Sequence, residues 1–193
     1  MTHRPILLWM TSRSRSSMVS AIFAGHGLYW GKTQKQTNGY DTYENHDVNA
    51  LQRKFKPLWG QPFMRAVNAD SKVFEQFQNE LNHIVPSDQT CLIKTGVEYY
   101  PTYRALNPYN VFITRKPIDI ANSLCKKRSD AKYEEALEAV LWRFNYMKQI
   151  AEDDGGVFVD TDLVKSGDYS QIKEAIEYCG ITFNERATRN AIK

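Results

Sequence analysis

Four short apolar runs constrain this fold more than anything else in the chain: Ile6–Met10 and residues 91–93, 111–114 and 157–159. Each has strand length, and none alternates apolar with polar residues as a sheet with one wet face would. Both faces of such strands must therefore be covered. Between them, apolar residues recur at helical spacing over 17–24, Ser71–Ile84, Pro117–Lys127 and Ser170–Tyr178. Tyr133, Leu137, Val140, Phe144 and Met147 mark a longer helix over about 130–151. Pro117 suits a first helical position and Gly180 the residue just past a helix end. Strands alternating with helices predict an α/β fold, a three-layer α/β/α arrangement around a parallel sheet of four to five strands.

At 193 residues and 42% hydrophobic, the chain suits one domain with a sizeable core. No repeat, low-complexity tract or linker divides it, so a single domain over 1–193 is expected. Residues 25–70 are rich in Gly, Asn, Gln, Tyr and Trp, with a modest helical pattern only over 48–58. They read as an irregular insertion, a binding surface or lid. The net charge of +3 is too small to imply a nucleic-acid partner. Cys91, Cys125 and Cys179 have no metal-ligand spacing, and their odd number suits reduced thiols better than disulfides. No apolar stretch approaches a membrane span and no signal peptide is visible, so a cytoplasmic, soluble protein is expected.

Chemistry concentrates at the strand ends, where open parallel sheets bind their ligands. Arg13 follows the first run, Lys94 the second and Arg115 the third, while Asp160-Thr161-Asp162 after the fourth reads as a helix or turn cap. The first run feeds Arg13-Ser14-Arg15-Ser16-Ser17 and then a helix, which would aim N–H groups and the helix dipole at one point. The serines suit a phosphate and an ordinary N-cap equally. Arg115 and Ser123 frame a second such point, so a ligand phosphorylated at both ends fits. There is no glycine from Met1 to Ala24, so the loop is not a Walker A motif, which disfavours a nucleotide or nucleoside kinase.

These pieces resemble the sulfotransferases that use 3′-phosphoadenosine 5′-phosphosulfate (PAPS), particularly short soluble members. Arg13, Ser14, Ser16 and Ser17 are similar to their first loop; Arg115, Pro117 and Ser123 reproduce their second signature; Leu92-Ile93-Lys94-Thr95 resembles their strand bearing a catalytic Lys. Val159–Leu163 and the helix ending at Gly180 resemble their closing elements, and Tyr43-Glu44-Asn45 a segment in which some members carry a carboxylate base. The resemblance runs over about 6–181. It implies a P-loop-NTPase-like fold, PAPS as donor, 3′,5′-adenosine bisphosphate (PAP) as product, no metal, and sulfuryl transfer to a hydroxyl or amine of an acceptor. It implies donor binding by Arg13, Ser14, Arg15, Ser16, Ser17, Arg115 and Ser123, and catalysis by Arg13, Lys94 and Glu44.

Three positions depart from the family's pattern. Arg15 stands where a glycine is usual, and must adopt a glycine-like backbone or reshape the loop. Gly96 stands where cytosolic members have a catalytic His, and Asp160 where many have a Tyr near the adenine. With the His absent, the candidate bases are Glu44, favoured by the resemblance, then Glu98, His26 and His46. A non-catalytic binder of PAP-type ligands is the alternative that Arg15 and Gly96 leave open. Tyr29, Trp30 and Trp59 suit either an acceptor pocket or anchorage of the insertion.

Overall fold

Leu7 and Trp9 leave the first strand on one face, Ile6 and Leu8 on the other, and all four are fully buried. That is why this run carries no polar alternation. The computed structural model describes residues 4–35, 41–55, 71–85 and 89–192. Its strands are β1 (Ile6–Met10), β2 (Thr33–Lys35), β3 (Asp41–Asn45), β4 (Leu92–Gly96), β5 (Tyr109–Thr114) and β6 (Val157–Asp160). β4, β1, β5 and β6 form, in that order, a four-stranded sheet with every pairing parallel. The order turns back at β1, which lies between β4 and β5. The crevice at its carboxyl end is the position where open α/β sheets bind ligands.

Helices cover both faces, giving the expected three layers. α1 (Ser16–Gly25), α7 (Thr161–Ser166) and α8 (Ser170–Tyr178) pack with Ile6, Leu8, Val111 and Ile113. α2 (His46–Phe55), α3 (Ser71–Ile84) and α6 (Tyr133–Asp154) pack against Leu7, Trp9, Ile93 and Phe112. Each buried Leu or Phe contributes about 1.5–3 kcal/mol of transfer free energy. Trp9 also donates its indole N–H to Asn110 Oδ1 at 2.9 Å, which satisfies its polar atom within the core. α5 (Pro117–Lys127) lies against α6. Gly180, at φ 74°, closes α8 with the Gly180 and Ile181 N–H groups donating to the carbonyls of Glu177 and Ile176. Among the described residues, no helix is long and apolar enough to cross a membrane.

Several expectations need correction. The insertion is not irregular throughout: β2 and β3 pair antiparallel, and α2 follows β3 directly. Asn45 starts α2 by accepting from the Asp47 and Val48 N–H groups at 3.0 and 3.1 Å. Residues 56–70, with Trp59, lie outside the described residues. β4 continues to Gly96, so Lys94 sits within the strand opposite Leu8 rather than beyond its end. Polar residues are tolerated there because each finds a partner: Lys94 meets Ser17, and Thr95 accepts from Gln52. α6 begins at Tyr133, after an extended Lys132 at its N-cap, and Asp130 lies in the preceding connection, 3.1 Å from Arg128. The short helical turns between Val97 and Leu106, including α4 (Tyr100–Tyr103), were not anticipated. Nor was α9 (Glu185–Ala191), whose N-cap Asn184 accepts from the Ala187 N–H at 3.0 Å.

Candidate active site

The loop from β1 to α1 turns on two non-glycine residues of positive φ, Arg13 at 70° and Arg15 at 60°. A left-handed conformation costs an L-residue about 1–2 kcal/mol, so surrounding contacts must hold it. One is the ion pair between Arg15 and Asp162. Arg15, not a serine, is the N-cap of α1, and its side chain makes no capping hydrogen bond. Ser16 and Ser17 therefore lie in the first turn, at a helix terminus of positive potential.

The second arm comes down onto this loop. Arg13 Nε donates to Ser123 Oγ on α5 at 2.9 Å, and Arg115 Nη1 donates to the Arg13 carbonyl at 3.3 Å. Arg115 also lies 3.7 Å from both Asp119 and Asp162. The turn after β6 locks the assembly. Asp160 caps α7 by accepting from the Asp162 N–H at 2.8 Å, and the Thr161 hydroxyl is 3.0 Å from the carbonyls of both Ser14 and Thr114. Thr161 is fully buried. Buried in the same region, the Ser14 hydroxyl and Arg115 Nε have no hydrogen-bond partner among the described residues. Arg115 Nε instead faces the Asp162 carboxylate at 3.7 Å.

Beside the α1 terminus, Lys94 is almost wholly buried, and its Nζ donates to Ser17 Oγ at 2.9 Å. The Glu44 Oε1 at the end of β3 stands 3.4 Å from the same Nζ. Asn49 Nδ2, on α2, is 3.4 Å from the other carboxylate oxygen. These groups open onto a cleft of about 210 Å³, whose walls include Gln52, Thr95, Gly96, Glu98, Tyr99 and Arg143. Gln52 is fixed by donating to Thr95 Oγ1 and Tyr103 Oη at 2.8 and 2.7 Å. Burial pushes the Tyr103 phenol well above its ordinary value. Burial, with the charge of Glu98, also raises the Tyr99 phenol.

The structure thus brings Arg13, Arg115 and Ser123 into one group and Lys94, Ser17 and Glu44 into another, joined by the β1–α1 loop. Glu98 shares the cleft with Glu44. His26 lies at the far end of α1, where Nδ1 is 2.8 Å from the Ile22 carbonyl and Nε2 accepts from the Asn184 N–H. His46 is exposed, 3.6 Å from Asp47. Trp30 packs edge-on against Tyr43, and Tyr29 bridges to Cys91. Sequence reasoning missed Thr161 and Asp162 as ties between the two arms. It also missed Arg143, because one cation on a helix carries no local motif.

No family model matches the sequence, and no curated protein matches it. Among solved structures, the fold is similar to the sulfotransferase domain from the Synechococcus PCC 7002 olefin synthase. The TM-score is 0.53 at 14% identity, over 100% of this chain and 80% of that one. It is also similar to the sulfotransferase domain from the curacin biosynthetic pathway, with TM-score 0.58 at 13% identity, over 97% and 77% of the two chains. The chain has a sulfotransferase fold. At such identity the likeness is one of architecture, so what this site does must be argued from its own residues.

Proposed function

We propose that this protein transfers a sulfuryl group from PAPS to a hydroxyl or amine of a small acceptor. The observation that carries this reading is Lys94, whose ammonium lies between Ser17 Oγ at the α1 terminus and the Glu44 carboxylate facing the cleft. One cation therefore adjoins both the anion site and a base. The donor fits the other residues as well. Arg115 and Ser123 would hold the 3′-phosphate, the guanidinium supplying charge and donors beside the Ser123 hydroxyl. Arg13, Ser14 and the first turn of α1 would hold the 5′-phosphosulfate. Arg15, engaged by Asp162, serves by fixing the loop.

Glu44 would take the acceptor proton as the acceptor oxygen or nitrogen bonds to sulfur. The bond from sulfur to the bridging phosphate oxygen breaks, and PAP leaves with that electron pair. Lys94 and Arg13 would neutralise charge on the sulfo group and the departing oxygen, with no metal required of these residues. The test is transfer of labelled sulfate from PAPS to a panel of alcohols, sugars and amines, run beside Lys94→Ala. Labelled product with the native chain, and a loss of about 10²-fold or more with the variant, is expected. Equal transfer by both proteins would refute the assignment.

A further inference from the structure

Position 96 is glycine for a reason the backbone does not supply. Its φ of −75° and ψ of 144° are extended values open to any residue. A Cβ there would instead fall 2.6 Å from Cδ and Oε2 of Glu98. The space beside Gly96 is filled by the Glu98 carboxylate, so the absent side chain is what seats that carboxylate on the cleft wall.

Arg143 holds Glu98 from α6, its Nε 3.6 Å from Oε2, with both side chains about one-fifth exposed. At that distance the pair attracts without forming a hydrogen bond. Oε2 is buried and lacks a hydrogen-bond partner among the described residues. Oε2 is turned to Arg143, while Glu98 forms part of the cleft wall, where the rest of its carboxylate can accept from a donor brought by a ligand. The neighbouring walls, Gln52, Thr95 and Tyr99, also present hydrogen-bonding groups. An apolar acceptor would desolvate the Glu98 carboxylate and return nothing. The cleft, at about 210 Å³, is also smaller than the roughly 300–1,000 Å³ of pockets for drug-sized ligands.

We propose that Glu98, seated by Gly96 and Arg143, is the residue that selects the acceptor, taking a hydrogen bond from a second O–H or N–H group of a small polar molecule. This rests on the sulfotransferase reading, with Glu44 moving the proton and Glu98 fixing the orientation. The experiment measures sulfation by labelled PAPS of glycerol and ethanolamine against 1-propanol and phenol. Glu98→Ala and Gly96→Ala are assayed alongside, and PAP affinity is measured separately for each protein. Glycerol or ethanolamine should be strongly preferred. Both variants should raise the KM of the preferred acceptor by about tenfold or more, with kcat within about threefold and PAP affinity unchanged. Gly96→Ala keeps both charges and displaces only the carboxylate, so it reports on position rather than on loss of the ion pair. Turnover of propanol or phenol as good as that of glycerol overturns the proposal. So does a Glu98→Ala enzyme with lowered kcat at unchanged KM, which would make Glu98 the base. Intact PAP binding with no polar acceptor sulfated also counts against it, whereas failure of PAP to bind would remove the sulfotransferase reading itself.

Discussion

Lys94 Nζ lies 3.4 Å from Glu44 Oε1, yet the lysine side chain is 2% exposed and the glutamate 37%. The cation is locked beneath the α1 terminus while its partner faces the cleft. A buried ammonium must keep its partners, because leaving it unpaired is expensive. A half-open carboxylate can exchange contacts with a ligand. The asymmetry suits a fixed electrostatic group and a base that meets the acceptor.

Glu44→Gln retains size and can still accept from Asn49, but it cannot take a proton. Turnover should fall by about 10²–10⁴-fold, with PAP affinity nearly unchanged. Steady-state kinetics on a sulfated acceptor, paired with calorimetry, checks this. Near-normal turnover would move proton removal elsewhere.

Arg15→Gly removes a left-handed Arg and an ion pair whose partners are each 28% exposed. Relief of about 1–2 kcal/mol of backbone strain is opposed by loss of a part-buried pair and by the roughly 0.4–1 kcal/mol of extra unfolded-chain freedom of glycine, so the net change is small. Thermal unfolding should therefore stay nearly level. PAP affinity should remain within about threefold, because the guanidinium is engaged by Asp162 rather than held for phosphate. A tenfold loss of PAP affinity would make Arg15 a donor ligand instead.

The parallel sheet was legible because the central strands β1 and β5 are buried on both faces, and burial writes itself into composition. The boundary of β4 was not, since Lys94 and Thr95 resemble loop residues until Ser17, Glu44 and Gln52 are seen to satisfy them. The same limit applies to the site. Arg115 and Ser123 stand within one strand-turn-helix unit, so their spacing is visible locally. The ties of Thr161 to Ser14 and Asp162 to Arg15 depend on how separate arms meet, which no local spacing records. Gly96 was visible only as a missing His; its relation to Glu98 emerges from where the carboxylate sits.

Burial pushes the thiols of Cys91 and Cys179 up to about 12. Iodoacetamide at pH 8 should therefore leave both unmodified in the native protein, with Cys125, which is partly exposed, the thiol that reacts. All three should react after denaturation. The raised values also set a pH dependence. Between about pH 9 and 12 the unfolded chain releases thiol protons that the folded chain retains, so stability should fall across that window. Mass spectrometry of the alkylated protein and denaturant titrations across that range check the two statements.

In the proposed reaction, the two arms joined by Arg13 and Ser123 form one clamp for a doubly phosphorylated adenosine. Calorimetric titration with PAP, compared with ATP and repeated on Arg115→Ala, tests it most directly. PAP should bind more tightly than ATP. The variant should stay folded and lose about 10- to 150-fold in PAP affinity, the worth of a charge-assisted contact of about 1.5–3 kcal/mol. Absence of PAP binding, equal binding of ATP, or unchanged PAP affinity in a folded Arg115→Ala protein would contradict the account.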